Sequence, residues 1–204
     1  MKYSFIEIGT SDIETLAQTR QGELGMSVEP VKAYLDNLPD STLLTKVNCA
    51  ISNHDGLVDV FWMKPEDIEK HQLPFWMRGC NAIHHPHPTM FRVLREHHLE
   101  SLLQMSRVEV LTWKSLVRRY NIQEVQYLKI DAEGHDCVIV NNILDDAGGV
   151  LPRQLSFECN GLLTDGVLIR QTTERVVSFG YKAIPSPKPI DDGDRYFEYV
   201  GALP

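Results

Sequence analysis

The segment FIEIGTSDIETL, residues 5–16, constrains the fold of this chain more than any other, because it joins a buried-strand pattern to a turn. An apolar run ends at Glu7 and Gly9, as a parallel strand does before it turns over a ligand. Comparable strand-like runs at residues 24–29, 45–52, 108–112, 125–134 and 153–160 alternate with helix-like runs. The alternation predicts one α/β domain over residues 1–204 with a mainly parallel sheet. Helices are expected from about Asp12, from Pro30 in a first turn to Leu38, over 91–105, 113–120 and 136–144 with Gly148-Gly149 at its end, and near 168–179. Asp55-Gly56 is a hairpin signal. Residues 181–184 and 195–203 read as a closing antiparallel pair joined by the turn-rich PSPKPIDDGD.

Residues 64–89 break the periodicity with prolines and glycines, and an insertion over 64–107 is expected to carry a substrate loop. Within it, Trp76, Arg78, Asn81 and His87 offer a stacking face and hydrogen bonds suited to a sugar ring. The run HHPHP suggests zinc through His84, His85 and His87, but its prolines prevent a shared helical face and no downstream partner has convincing spacing.

The net charge of −8 argues against a general nucleic-acid partner, because duplex binding depends on basic residues. Cys49, Cys80, Cys137 and Cys159 stand 31, 57 and 22 residues apart, which reads as unpaired thiols in a reducing compartment and predicts a cytoplasmic protein. The sequence contains no apolar run long enough for a membrane span and no signal-peptide pattern.

Ser11 and Glu14 stand where a dinucleotide fingerprint would place its second and third glycines. Glu7 and Asp12 put negative charge where a pyrophosphate would sit, which disfavours a nicotinamide oxidoreductase. S-adenosylmethionine carries a sulfonium and an ammonium instead, and its methionine end is expected near Glu7, Gly9, Thr10, Ser11 and Asp12. Glu29, 22 residues after Glu7 and followed by Pro30, can accept hydrogen bonds from a ribose. Residues 49–52, including Ala50 and Ile51, are expected beside the adenine.

FIEIGTSDIETL, GMSVEP, KVNCAIS with its following DG, VEVLTW and LKIDAEGHD occur in the order that resembles FkbM-type methyltransferases over about residues 4–160. Ile13 departs from the glycine common in that family. The resemblance implies a class I methyltransferase Rossmann-like fold, a seven-stranded mainly parallel sheet whose last strand is antiparallel, and S-adenosylmethionine-dependent methylation of a sugar or glycan hydroxyl. The chain also resembles methyltransferase domains of viral and algal glycan-building proteins, where the acceptor can be rhamnose. Its first strand starts almost at Met1, which suggests a piece of a longer multidomain chain or a reduced enzyme with an open cofactor site. An inactive cofactor-binding module of a larger glycan-assembly protein is the alternative reading.

For chemistry, Asp131 follows the fourth principal strand beside the expected methyl position and is the first candidate for general base, with Glu133 and Glu158 as further catalytic carboxylates. Asp136 in the same cluster also fits a helix N-terminus enriched in acids. Related oxygen methyltransferases hold magnesium after the fourth and fifth strands, which implies Asp131, Glu158 and Asn160 as possible ligands here.

Overall fold

Short strands with one strongly apolar face become the centre of a seven-stranded sheet: Ile6, Ile8, Leu128 and Ile130 enter the core, and Glu7 pairs with Lys129 across the strands. The computed structural model describes residues 1–146, 149–187 and 193–201. In chain order, β1 (Lys2–Ile8), α1 (Leu16–Thr19), β2 (Gly25–Val28), α2 (Lys32–Asn37) and β3 (Leu44–Val47) form the first half of that sheet and its crossovers. Then come β4 (Ala50–Ile51), β5 (Gly56–Trp62), α3 (Pro65–Lys70), a 3-10 turn (Phe75–Arg78), β6 (Ala82–Ile83), α4 (Pro88–Glu96), a second 3-10 turn (Glu100–Leu102) and β7 (Gln104–Leu111). The chain closes with α5 (Trp113–Arg119), β8 (Glu124–Ile130), α6 (Asp136–Asp145), β9 (Gln154–Glu158), α7 (Gly166–Ser178), β10 (Tyr181–Ile184) and β11 (Asp194–Tyr199).

The large sheet has the order β10-β11-β9-β8-β1-β2-β3. It is Rossmann-like: β3, β2, β1, β8 and β9 are parallel, and β11 runs against both β9 and β10. The expected antiparallel pair at the end of the chain is therefore present, although residues 188–192 of its connection and 202–204 lie outside the described residues. The strands β1 and β8 contribute Ile6, Ile8, Leu128 and Ile130 to one core with Trp113 and Leu116 of α5, Val140 of α6 and Val176 of α7. Burying each such aliphatic side chain stabilises the fold by roughly 1.5–3 kcal/mol. The Trp113 indole N–H donates to the Val150 carbonyl at 2.9 Å, which satisfies its polar edge inside that core.

Several local expectations change. Residues 45–52 do not form one strand: the Asn48 amide donates to the carbonyls of Glu29 and Pro30, and the chain leaves the large sheet at Val47 and joins a second one at Ala50. Asp55-Gly56 does not close a hairpin either, because β5 pairs with β7 and not with β4. Asp55 instead accepts from the Thr112 backbone N–H and the Ser115 hydroxyl at the start of α5, so its turn chemistry serves a helix end. The helix expected from Asp12 begins at Leu16, behind a capping box of Thr15 and Gln18. Pro30 lies just outside α2, whose N-cap is Val31. The helix expected over 91–105 is shorter and earlier: Pro88 opens it, the His87 ring caps it, and β7 has begun by Gln104. Gly148 lies outside the described residues.

The second sheet has the order β4-β7-β5-β6, and residues 63–103, where an insertion was expected, run from β5 through β6 to β7. Residues expected to be an irregular loop have a small core of their own, Met63, Ile68, Leu73, Met77, Cys80, Met90 and Leu94. Among the described residues no helix is long and apolar enough to cross a membrane.

Candidate active site

The turn after β1 adopts left-handed conformations despite its missing glycines. Gly9 has φ +80°, Ser11 +46° and Glu14 +51°, and each non-glycine residue held there costs roughly 1–2 kcal/mol. A charge-assisted hydrogen bond offsets that cost: Glu29 Oε2 accepts the Ser11 N–H at 2.7 Å, while its Oε1 accepts the Val31 N–H at 2.8 Å. One carboxylate thus organises the turns after both β1 and β2.

The other acids of this turn face inward. Glu7 is fully buried, with Lys129 Nζ 2.9 Å from Oε1 and the Leu16 N–H donating to Oε2 at 2.8 Å. Lys129 also lies 3.3 Å from Asp131 Oδ2. Burial opposes its charge, but Glu7 and Asp131 outweigh that and raise its pKa above the ordinary lysine value. Asp12 is held by a forked contact from Arg78, whose Nε lies 3.0 Å away, and by Asn37 Nδ2 at 2.7 Å. Arg78 therefore does not present its guanidinium to an acceptor: it fastens the 3-10 turn of the insertion to the turn after β1, and its carbonyl accepts the Ser11 hydroxyl at 2.7 Å. Neither Glu7 nor Asp12 is left free for a ligand cation, because burying a lone carboxylate is expensive and both have taken partners from the protein.

Two cavities meet at Gly9, Gly79 and Asp131. The first is a narrow slot of about 40 Å³ between the ends of β1 and β2 and the insertion, lined by Glu29, Pro30, Ala50, Ile51, Asn81 and His135 among others. The second is a cleft of about 800 Å³ over β8 and β9, lined by Thr10, Ser11, Trp76, Tyr127, Lys129, Glu133 and Glu158 among others. Trp76 is 43% exposed and forms part of its wall. Asn81, expected on the acceptor side, lies in the slot instead, and His87 lines a separate recess with Glu133 and Leu163.

Three carboxylates from the ends of β8 and β9 face the cleft. The Asp131 side chain is 38% exposed. Burial, then Glu133 and Asp131, push Glu158 up to about 8, and its Oε2 is buried without a hydrogen-bond partner. Burial also raises Glu133, against the hydrogen bond from His87 at 3.1 Å. Of the possible magnesium ligands, Asp131 faces Lys129, and Asn160 Oδ1 accepts the Leu162 N–H at 3.0 Å. Lys129 and the Leu162 N–H thus engage two members of this oxygen set, while Glu158 Oε2 has no partner.

Among the described residues, Cys80, His87 and Glu133 are the one group of three His, Cys, Asp or Glu side chains whose ligand atoms lie within 4.8 Å of one another. Their hydrogen bonds suit protons better than an ion. His87 Nδ1 accepts the Met90 N–H at 3.3 Å, so its Nε2 carries the proton and points it at Glu133. The Cys80 thiol donates to the Trp76 carbonyl, and burial followed by Glu133 pushes its pKa up.

A profile of the methyltransferase FkbM domain matches residues 7–157. The chain belongs to the FkbM methyltransferase family. Searches of curated proteins and of solved structures find no match.

FkbM-family membership carries the general expectation of S-adenosylmethionine as cofactor, and the residues present fit it. The slot combines apolar walls for a ring with the Glu29 carboxylate for hydroxyl groups. Thr10 Oγ1, on the cleft lining, and Ser27 Oγ, opposite Glu7 in the β1–β2 register, are buried without hydrogen-bond partners. The slot has room for about three waters as it stands and opens into the cleft at Gly9, Gly79 and Asp131. Two polar residues of this FkbM site escape sequence reading. Lys129 had a signal, since strand alternation puts it on the face of Tyr127 and Asp131, and it stands opposite Glu7 in the β1–β8 register. His135, whose Nε2 lies 2.9 Å from Ser52 Oγ, had none.

Burial raises Glu29 and Asp136 to about 7 and Glu158 to about 8, from ordinary values of 4.5, 3.8 and 4.5. Between the ordinary and the raised values the folded protein binds more protons than the unfolded chain, so stability falls as pH rises. Buried His135, lowered to about 4, acts in the opposite sense below its ordinary value of 6.5. The expected outcome for the ligand-free protein is a thermal midpoint that declines steadily from about pH 6.5 to 8.5, with a shallower decline in Asp136→Asn. A midpoint that is flat or rising over that interval would show that these carboxylates are stabilised as anions.

Proposed function

We propose that this FkbM-family protein is an S-adenosylmethionine-dependent O-methyltransferase acting on a hydroxyl of a sugar or glycan, with rhamnose the first acceptor to test. The observation that carries the reading is the meeting of slot and cleft at Gly9, Gly79 and Asp131, with Glu133 and Glu158 beside that junction. The sheet order, with β11 reversed between β9 and β10, supports a class I methyltransferase architecture.

The cofactor, when bound, supplies an electrophilic methyl group. Asp131 accepts the proton of the acceptor hydroxyl, and Lys129 holds the carboxylate in position from 3.3 Å. Glu158, with a pKa of about 8, is largely protonated at neutral pH and donates a hydrogen bond to the acceptor. Glu133, oriented by His87, adds a second acceptor of hydrogen bonds at the cleft wall. Trp76 offers an aromatic face to the apolar side of a sugar ring. The insertion over 64–107 shapes this acceptor side, as loops on a rigid scaffold commonly do. Four unpaired cysteines support work in a reducing compartment such as the cytoplasm.

Incubation with methyl-labelled S-adenosylmethionine and a panel of neutral sugars and glycan fragments tests the reading. Transfer of label to a hydroxyl oxygen, located by mass spectrometry, is the expected result. Binding of the cofactor with no transfer to any member of the panel would favour the inactive-module alternative.

A further inference from the structure

Asn81 has an acceptor with nothing to accept. Its Nδ2 donates to the Arg78 carbonyl at 3.1 Å, which settles the amide orientation, since the reverse would bring two oxygens together. Its Oδ1 is then the free end, and that atom is buried with no hydrogen-bond partner. Buried polar atoms are seldom left unpaired, because water is lost and nothing replaces it. Asn81 lines the narrow slot together with Ala50, Ile51, Ile83 and Ile139, whose aliphatic surfaces suit a flat ring. On the same lining, His135 has its Nε2 beside the Ser52 hydroxyl. Burial holds that ring neutral, with a pKa of about 4, so the slot gains no cation. The lining around Oδ1 therefore suits a donor carried on a flat, largely apolar ring.

We propose that Asn81 reads the 6-amino group of the adenine ring and is a cofactor-specificity residue. The inference rests on the cofactor reading above. A 6-amino purine donates to Oδ1, whereas a 6-oxo purine presents an oxygen to it, and an oxygen facing an oxygen is repelled. The acceptor belongs to the insertion, so the segment that walls the cleft through Trp76 also recognises the cofactor.

Calorimetric titration with S-adenosylhomocysteine and S-inosylhomocysteine separates the possibilities, using wild type, Asn81→Ala and Asn81→Asp. Asn81→Ala loses both the donor to the Arg78 carbonyl and the acceptor, whereas Asn81→Asp, protonated opposite that carbonyl, keeps an O–H donor to it and an acceptor oxygen. Wild type and Asn81→Asp are expected to prefer the adenosyl ligand by about 10-fold or more, the scale of one well-placed hydrogen bond. Asn81→Ala is expected to lose most of that preference through weaker adenosyl binding. Equal affinities in wild type would mean that water serves Oδ1, and equal loss of preference in both variants would assign Asn81 to loop architecture; either result overturns the proposal. Failure of wild type to bind either ligand would remove the cofactor reading itself, whereas the other two outcomes leave it standing.

Discussion

Asp131→Asn is expected to lower turnover by about 10²-fold or more, the scale of a lost general base, with little change in cofactor affinity. The substitution keeps the shape of the side chain and an oxygen that can still accept from Lys129, now 3.3 Å from Oδ2. It removes the ability to take a proton. Because the side chain is 38% exposed at the junction of slot and cleft, folding should be nearly unaffected, with a stability change of about 0.5 kcal/mol or less. Steady-state rates, titration calorimetry and a thermal melt on the same preparation separate these effects. Near-normal turnover would remove Asp131 from the chemistry and move attention to Glu133 and Glu158, the other carboxylates facing the cleft.

Gly9→Ala should be the most damaging small substitution in the molecule. Gly9 has φ +80°, and a Cβ there would lie 1.9 Å from the Asp131 carbonyl oxygen and 2.7 Å from its carbonyl carbon. Those are backbone atoms of the next strand, held by the Asp131 N–H donating to the Ile8 carbonyl at 2.9 Å, so no side chain can swing away to relieve the clash. Backbone strain of about 1–3 kcal/mol adds to an overpacking cost of about 1–3 kcal/mol. For a chain of this size the sum corresponds to a thermal midpoint lower by roughly 4–24 °C. Turnover should fall as well, because relief requires Asp131 to move. Gly166→Ala is the control: nothing lies within 4 Å of its added Cβ, and it sits at the start of α7. A Gly9→Ala protein melting as the control does would show that the β1–β8 junction yields easily.

The order of strands and helices was legible in the sequence because short strand-like runs alternate with helix-like ones, and LKID in particular places Asp131 at a strand end without reference to any other segment. The carboxylates Glu29, Asp131, Glu133 and Glu158 were placed at or just beyond strand ends for the same reason: strand ends are local features. Their electrostatic roles were not local. Whether Glu7 and Asp12 could meet a ligand cation depended on Lys129, 122 residues away from Glu7, and on Arg78, 66 residues away from Asp12. A charge in a closed turn takes the nearest buried partner, and no spacing rule predicts which segment supplies it. Pairing partners were undecidable in the same way. Asp55-Gly56 has the chemistry of a hairpin turn, yet long-range pairing of β5 with β7 left it to cap α5. What the sequence determined alone is therefore the α/β succession and the positions of the strand-end acids, both written in runs of a few residues. Only the tertiary structure decided which acids stay free, which cavity receives Asn81 and why Ser11 tolerates a left-handed turn, since each rests on contacts between residues remote in the chain.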